Sequence, residues 1–163
     1  KKKDINFSLN NKFGKDVGDF TELNQPILSR KPELIYGLRN IIQNAIAFSK
    51  STVWIDVTYN INNINIYISD DGSGYPSNLL KKIGEPFLNE NNIKKNFENS
   101  RPHYEGMGLG LFISKTLLEN LDAKVTFGNE KNRKNEKGAI VHIIFDREKI
   151  EINTNEKIVK NMI

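Results

Sequence analysis

Asn63-Ile64-Asn65-Ile66-Tyr67-Ile68-Ser69-Asp70-Asp71-Gly72-Ser73-Gly74 (63–74) is the stretch that decides the fold. Ile64, Ile66 and Ile68 alternate with polar residues, the period of a strand with one face buried. That strand runs straight into a turn of aspartates and glycines, followed by Tyr75-Pro76. Upstream, across an Asn-rich turn at 60–63, Val53, Ile55, Val57 and Tyr59 share one face of a second alternating segment, Thr52 to Tyr59. The pair reads as a hairpin. Further out, Pro32 suits the first turn of a helix, and Leu34, Ile35, Leu38, Ile41, Ile42, Ala45 and Ile46 then recur at helical spacing. Residues 5–9 alternate as a short strand.

Beyond the hairpin, a short helix is predicted around 77–83. Residues 88–105 are polar, Asn-rich and aperiodic, a loop of the length at which lids are common. Gly106-Met107-Gly108-Leu109-Gly110 opens a helix carrying Phe112, Ile113, Thr116, Leu117 and Leu121. Residues 123–127 and 139–145 read as paired strands around a charged loop at 128–138, and a charged tail follows Asp146. Helices mixed with mostly antiparallel strands give the α+β class, a sheet covered by helices on one face.

The 163 residues suit one domain, 1–150, with a short tail, 151–163. No apolar run reaches the roughly 20 residues needed to cross a bilayer. The absence of Cys removes disulfides, thiolate metal sites and Cys nucleophiles, and two His, His103 and His142, leave little for a His-based metal site. Lys1-Lys2-Lys3-Asp4 carries no apolar leader and reads as the start of an excised fragment. The net charge of +4 comes from interspersed charges, 24 basic against 20 acidic, with no basic-aromatic stripe for nucleic acid.

Three constellations carry chemistry. Asn40 and Asn44 lie one turn apart on one stripe of the first helix, outside its apolar arc. Asn is a mediocre helix former, so the pair is either solvent-facing filler or a set of carboxamides offered to a hard cation and phosphate oxygens. Asp70 to Gly74 is either a plain turn or a strand-end carboxylate for an exocyclic amine such as adenine N6, with glycines admitting the base. Gly106 to Leu111 is either a hinge or a phosphate cradle at a helix N-terminus. It lacks the Lys of a Walker loop and the preceding strand of a Rossmann fingerprint.

Taken in order with Gly84-Glu85-Pro86-Phe87, these pieces resemble the catalytic ATP-binding domain of sensor histidine kinases. Its superfamily includes DNA gyrase, heat-shock chaperone ATPases and mismatch-repair ATPases. The N box matches 37–45, the first glycine box 70–74, the F box 84–87, the lid 88–105 and the second glycine box 106–111. Pro32 to Leu38 and Gly110 to Glu119 are most similar to redox-responsive RegB/PrrB-type kinases.

The resemblance implies a two-layer α/β sandwich with a mixed, mostly antiparallel sheet and helices on one face, and ATP and Mg²⁺ between the N-box helix and the lid. Asp70 would accept from adenine N6, with Gly72 and Gly74 shaping that corner. Phe48, Tyr75, Phe87 and Leu111 would wall the base. Asn44 would bind Mg²⁺ with Asn40 assisting, and Gly106, Met107, Gly108, Leu109 and Gly110 would serve the phosphates. It further implies γ-phosphoryl transfer to a His on a dimerisation domain outside this sequence, then relay to a response regulator. The whole protein would be a homodimeric, inner-membrane-anchored bacterial kinase whose catalytic domain is cytoplasmic. Ala47 stands where many members carry Lys, so Lys94, Lys95 or Arg101 of the lid would supply the missing cation. Two alternatives share the nucleotide site. One is an ATP-hydrolysing member, which would need a general-base Glu where Asn40 stands; the other is an anti-sigma-factor-type Ser kinase.

Overall fold

The structure is a computed structural model that describes residues 3–11, 24–80, 83, 109–131 and 137–152. The predicted hairpin is its centre. β2 (Thr52–Tyr59) pairs antiparallel with β3 (Asn63–Asp70), so that Val53, Ile55, Val57 and Tyr59 stand opposite Asp70, Ile68, Ile66 and Ile64. Asn60 explains the tightness of the connection, because its Oδ1 accepts from the N–H groups of Asn62 at 2.8 Å and Asn63 at 2.7 Å. β3 pairs on its other side with β5 (Lys137–Asp146), and β5 pairs with β4 (Lys124–Lys131), both antiparallel. β1 (Asp4–Asn11) adds to β2 in parallel, giving the order β1-β2-β3-β5-β4. The sheet is mixed and mostly antiparallel, as the resemblance implies, and the patterning predicts its antiparallel hairpin and its β4–β5 pair.

One correction concerns the far end of the β4–β5 pair. The segment at 128–138 reads as a charged loop, yet Gly128 to Lys131 continue β4 and the ladder reaches Lys131 opposite Lys137. Glu130, Lys131 and Lys137 are all exposed there. Charged side chains reaching into water leave the backbone ladder intact, which composition alone does not reveal.

Helices cover one face. α1 (Pro32–Phe48) begins with Pro at its first turn and Glu33 beside its positive end. It buries Leu34, Gly37, Ile41 and Ala45. α2 (Ser77–Leu80) follows the glycine turn, and α3 (Leu109–Glu119) lies beside α1. The close approach of the two helices explains Gly37, where a Cβ would come within 2.7 Å of Leu118 Cγ. Forcing that contact typically costs about 1–3 kcal/mol. α3 ends where Asp122 adopts a left-handed conformation (φ 60°) and turns the chain into β4.

The core between the layers holds Ile41, Val53, Ile64, Ile68, Leu118, Ile143 and Phe145, each at most 1% exposed. Burying each such side chain favours folding by about 1.5–3 kcal/mol. The helices stop short of edge strand β1, so Ile5 and Phe7 stay 54% and 65% exposed although they share a face with Val53 and Ile55. On the opposite face the Ser8 hydroxyl donates to Asp56 Oδ1, and His142 stacks on Tyr67 with ring centroids 4.1 Å apart. Burial pulls the His142 imidazole below its ordinary pKa.

α4 (Arg147–Ile150) closes the chain's described part, capped by the Asp146 carboxylate. Glu151 bridges to Leu28, and the N–H of Ile152 donates to the Ile27 carbonyl at 2.7 Å. Thus 151–152, at the start of the predicted tail, bond back to the segment before α1. No described helix is long and apolar enough to cross a membrane.

Candidate functional site

The C-terminal ends of α1 and β3 meet at one corner of the molecule. β3 delivers Asp70 to the sheet's edge, where the residue is only 3% exposed, and its Oδ1 accepts from Gly72 N–H at 2.7 Å. The next carboxylate has a different task. Asp71 Oδ1 accepts from the N–H groups of Ser51 at 2.9 Å and Thr52 at 3.0 Å, and Oδ2 accepts from the Ser51 hydroxyl at 2.6 Å. Asp71 therefore ties the glycine turn to the α1–β2 connection, while Asp70 shapes the turn itself.

Two glycines are required here on steric grounds. A Cβ on Gly72 would collide with the Phe48 carbonyl oxygen and come within 2.7 Å of Asp70 Oδ1. Gly74 has φ +73°, in the left-handed region that glycine tolerates. Tyr75 follows, 8% exposed, with its ring edge-on to Phe127 at 6.2 Å. Its backbone is gripped from β4, since Tyr75 N–H donates to Asn129 Oδ1 and Asn129 Nδ2 donates to the Tyr75 carbonyl, both at 2.6 Å.

α1 presents Asn40, Asn44 and Phe48 at four-residue intervals, all half-buried, beside the core-facing stripe. The helix has no basic residue in its last turn. Lys3 supplies the cation instead, donating to the carbonyls of Ile46, Ala47 (3.2 Å) and Ser49 (2.9 Å). An ammonium there satisfies orphan carbonyls and complements the negative helix end. The turn of α1 that carries Phe48 is thereby pinned to β1.

The opening of α3 faces the same question from the other side. Leu109 and Gly110 begin the helix, and Gly110 is exposed; among the described residues nothing lies within 4 Å of a Cβ placed on it. Leu111 is buried with the core, and the buried Ser114 hydroxyl donates to the Gly110 carbonyl at 2.8 Å. Gly106, Met107, Gly108, the F box with Phe87, and the lid with Lys94, Lys95, Arg101 and His103 lie outside the described residues. His142 sits on the sheet face opposite the helices with Nε2 3.0 Å from Asn65 Oδ1, away from this corner.

Sequence reasoning missed Lys3, Asp71 as an anchor, and Asn129. Their partners lie 43, 20 and 54 residues away, beyond any local pattern. The polar edge at Asn129 was the only hint, and it reads as loop.

Among the described residues no group of three or more acidic or His side chains could cage a metal. What the corner offers is a buried carboxylate beside a turn with two glycines, and carboxamides along the adjoining helix. That set fits a purine amine at one end and a phosphate-bound hard cation at the other.

A two-layer fold with this corner defines a nucleotide-binding ATPase class. The chain belongs to the histidine kinase-, DNA gyrase B- and HSP90-like ATPase family, whose model matches residues 30–149. It is 43% identical over 146 residues to the sensor histidine kinase RegB of Cereibacter sphaeroides, an alignment covering 85% of this chain and 31% of RegB. The chain spans under a third of the length of the curated relatives it matches. Among solved structures, the mycobacterial sensor histidine kinase MprB shares the fold with a TM-score of 0.61 at 18% identity, over 87% of this chain and 83% of that one. Full-length ShkA, solved in complex with AMPPNP, gives 0.56 at 19% identity over 86% of this chain and 25% of ShkA.

Proposed function

We propose that this chain is the ATP-binding catalytic domain of a two-component sensor histidine kinase. It would transfer the γ-phosphoryl group of ATP to a His on a dimerisation domain outside this sequence, for relay to an Asp of a response regulator. The observation that carries the reading is Asp70, buried at the end of β3 and framed by a turn in which Gly72 has no room for a side chain.

Each residue then has a task. Asp70 accepts the exocyclic amine of adenine, and Gly72 and Gly74 shape that corner by letting the turn pack against the Phe48 carbonyl and the Asn129 carboxamide. Phe48, Tyr75 and Leu111 would line the apolar side, a role that the family resemblance extends to Phe87. Asn44 would offer its carboxamide oxygen to Mg²⁺, and Asn40 would serve the phosphates one turn away. The resemblance assigns phosphate oxygens to the amides of Gly106 to Gly110. Bound Mg²⁺ would neutralise charge on the phosphates, which is most of what a protein must arrange in phosphoryl transfer.

Asn40 also favours the kinase over hydrolysis. It occupies the place, one turn before Asn44, where a water-activating Glu would stand. Similarity to RegB supports a bacterial kinase, and membrane anchoring and homodimerisation belong to the same proposal.

Incubating the chain with radiolabelled ATP and a purified dimerisation domain tests this. Label on the added domain is the expected result. Release of free phosphate alone would make the chain an ATPase, and label on a protein serine would make it a Ser kinase.

A further inference from the structure

We infer that Asn129, on β4, is a positioning residue for the adenine end of the nucleotide site; the inference rests on the ATP-binding reading above. Asn129 lies outside every motif that points to nucleotide, and it comes from the opposite edge of the sheet.

Three observations converge on it. Its carboxamide engages both polar backbone groups of Tyr75 at 2.6 Å, one as acceptor and one as donor, so it acts as one more rung of backbone pairing. Tyr75 is 8% exposed, which leaves those groups poor access to water if the carboxamide is removed. Finally, a Cβ on Gly74 would lie 2.6 Å from Asn129 Oδ1 and 3.0 Å from its Cγ, at a residue whose φ of +73° already disfavours a side chain. Gly74 and Asn129 therefore specify each other. The absence of a side chain at 74 admits the carboxamide, and the carboxamide holds the backbone at 75.

The mechanical consequence follows from where the turn is tied. Its first half is closed by Asp70 accepting from Gly72 N–H, and its second half by Asn129 gripping Tyr75. Asp70 is thus both the proposed adenine acceptor and the upstream anchor of a turn whose downstream anchor is Asn129. Releasing the downstream end frees Gly72 to Tyr75 to move relative to Asp70, and recognition of the N6 amine suffers before recognition of the triphosphate does. Asn129 touches no substrate; it acts through Tyr75.

The test reads base recognition separately from folding. Binding of ATP and of purine riboside triphosphate, which lacks the N6 amine, is measured by calorimetry with magnesium on the 163-residue chain, wild type and N129A. Wild type prefers ATP. N129A narrows that preference about tenfold, chiefly by weakening ATP, while the amine-free nucleotide stays within about twofold. Should N129A fail to fold, N129D carries the same comparison, because it keeps an acceptor for the Tyr75 N–H and replaces the donor to its carbonyl. An unchanged preference, or equal weakening of both nucleotides, overturns the inference and leaves Asn129 a structural tie. Wild type binding neither nucleotide would instead defeat the ATP-binding reading itself. A G74A/N129A cycle adds a second check: the inference requires less than additive losses, and additive losses contradict it.

Discussion

β3 ends in two differently built corners. At its start, beside the hairpin turn, Arg147 is 9% exposed and spends its guanidinium on structure. Nε and Nη2 donate to the Glu151 carboxylate at 2.6 and 2.9 Å, Nη1 to the Asn60 carbonyl at 3.1 Å, and Nη2 also to the Asn24 carbonyl at 2.8 Å. The same group lies 5.8 Å from the centroid of the Tyr59 ring. At the other end, carboxylates take N–H and hydroxyl donors, and two glycines keep side chains out. Cation and carboxylate meet at the first corner, whereas at the second two carboxylates take N–H and hydroxyl donors. The contrast separates a lock from the proposed site, although both contain buried charge.

The largest effect should come from breaking the lock. Arg147→Ala leaves Glu151 and the Asn24 and Asn60 carbonyls without their shared donor, while the backbone ties of Leu28 and Ile27 to 151–152 remain. The Glu151 side chain is 27% exposed, so the pair is only partly desolvated and the expected loss is that of several part-buried charge-assisted hydrogen bonds, about 1–3 kcal/mol. Urea unfolding measures it through the midpoint, and nucleotide affinity of the folded fraction should not change. An equal loss of affinity would show that the two corners are not separable.

A smaller effect is the acid response. The hydrogen bond from Arg147 holds the Glu151 carboxyl below its ordinary range. Its folded pKa is therefore lower than its unfolded one, so its contribution is complete above the ordinary value and lost as pH falls through the lowered one. His142, lowered chiefly by burial, follows the same sign at higher pH: its share is complete above about pH 6.5 and is lost as pH falls through the lowered value. Melting temperature against pH should thus fall in two steps. In Arg147→Ala the lower step shrinks and the upper one remains. Persistence of both steps in the variant would mean that another carboxylate carries the lower one.

How much of this was legible beforehand differs between the corners as well. The strand pattern at Ile64, Ile66 and Ile68 and the helical stripe from Leu34 to Ala45 are local periodicities, so the sheet centre and α1 were readable. The glycine turn after Asp70 carried its own chemistry in adjacent residues. Arg147, Lys3 and Asn129 act across 123, 43 and 54 residues, and such pairings leave no trace in a window of ten or fifteen. The parallel partnership of β1 with β2 was hidden for the same reason, because a parallel pair needs a long connection and no turn signal marks it. Charged residues at 130, 131 and 137 concealed strand because they face water.

The most direct measurement is calorimetric titration of magnesium ATP into the 163-residue chain and into its Asp70→Ala variant, with thermal melting to verify that both are folded. A buried carboxylate that accepts the adenine amine predicts saturable binding to wild type, weakened at least about tenfold in the variant. No binding to the folded wild type, or equal affinity in the two proteins, would contradict the assignment of this corner to the nucleotide.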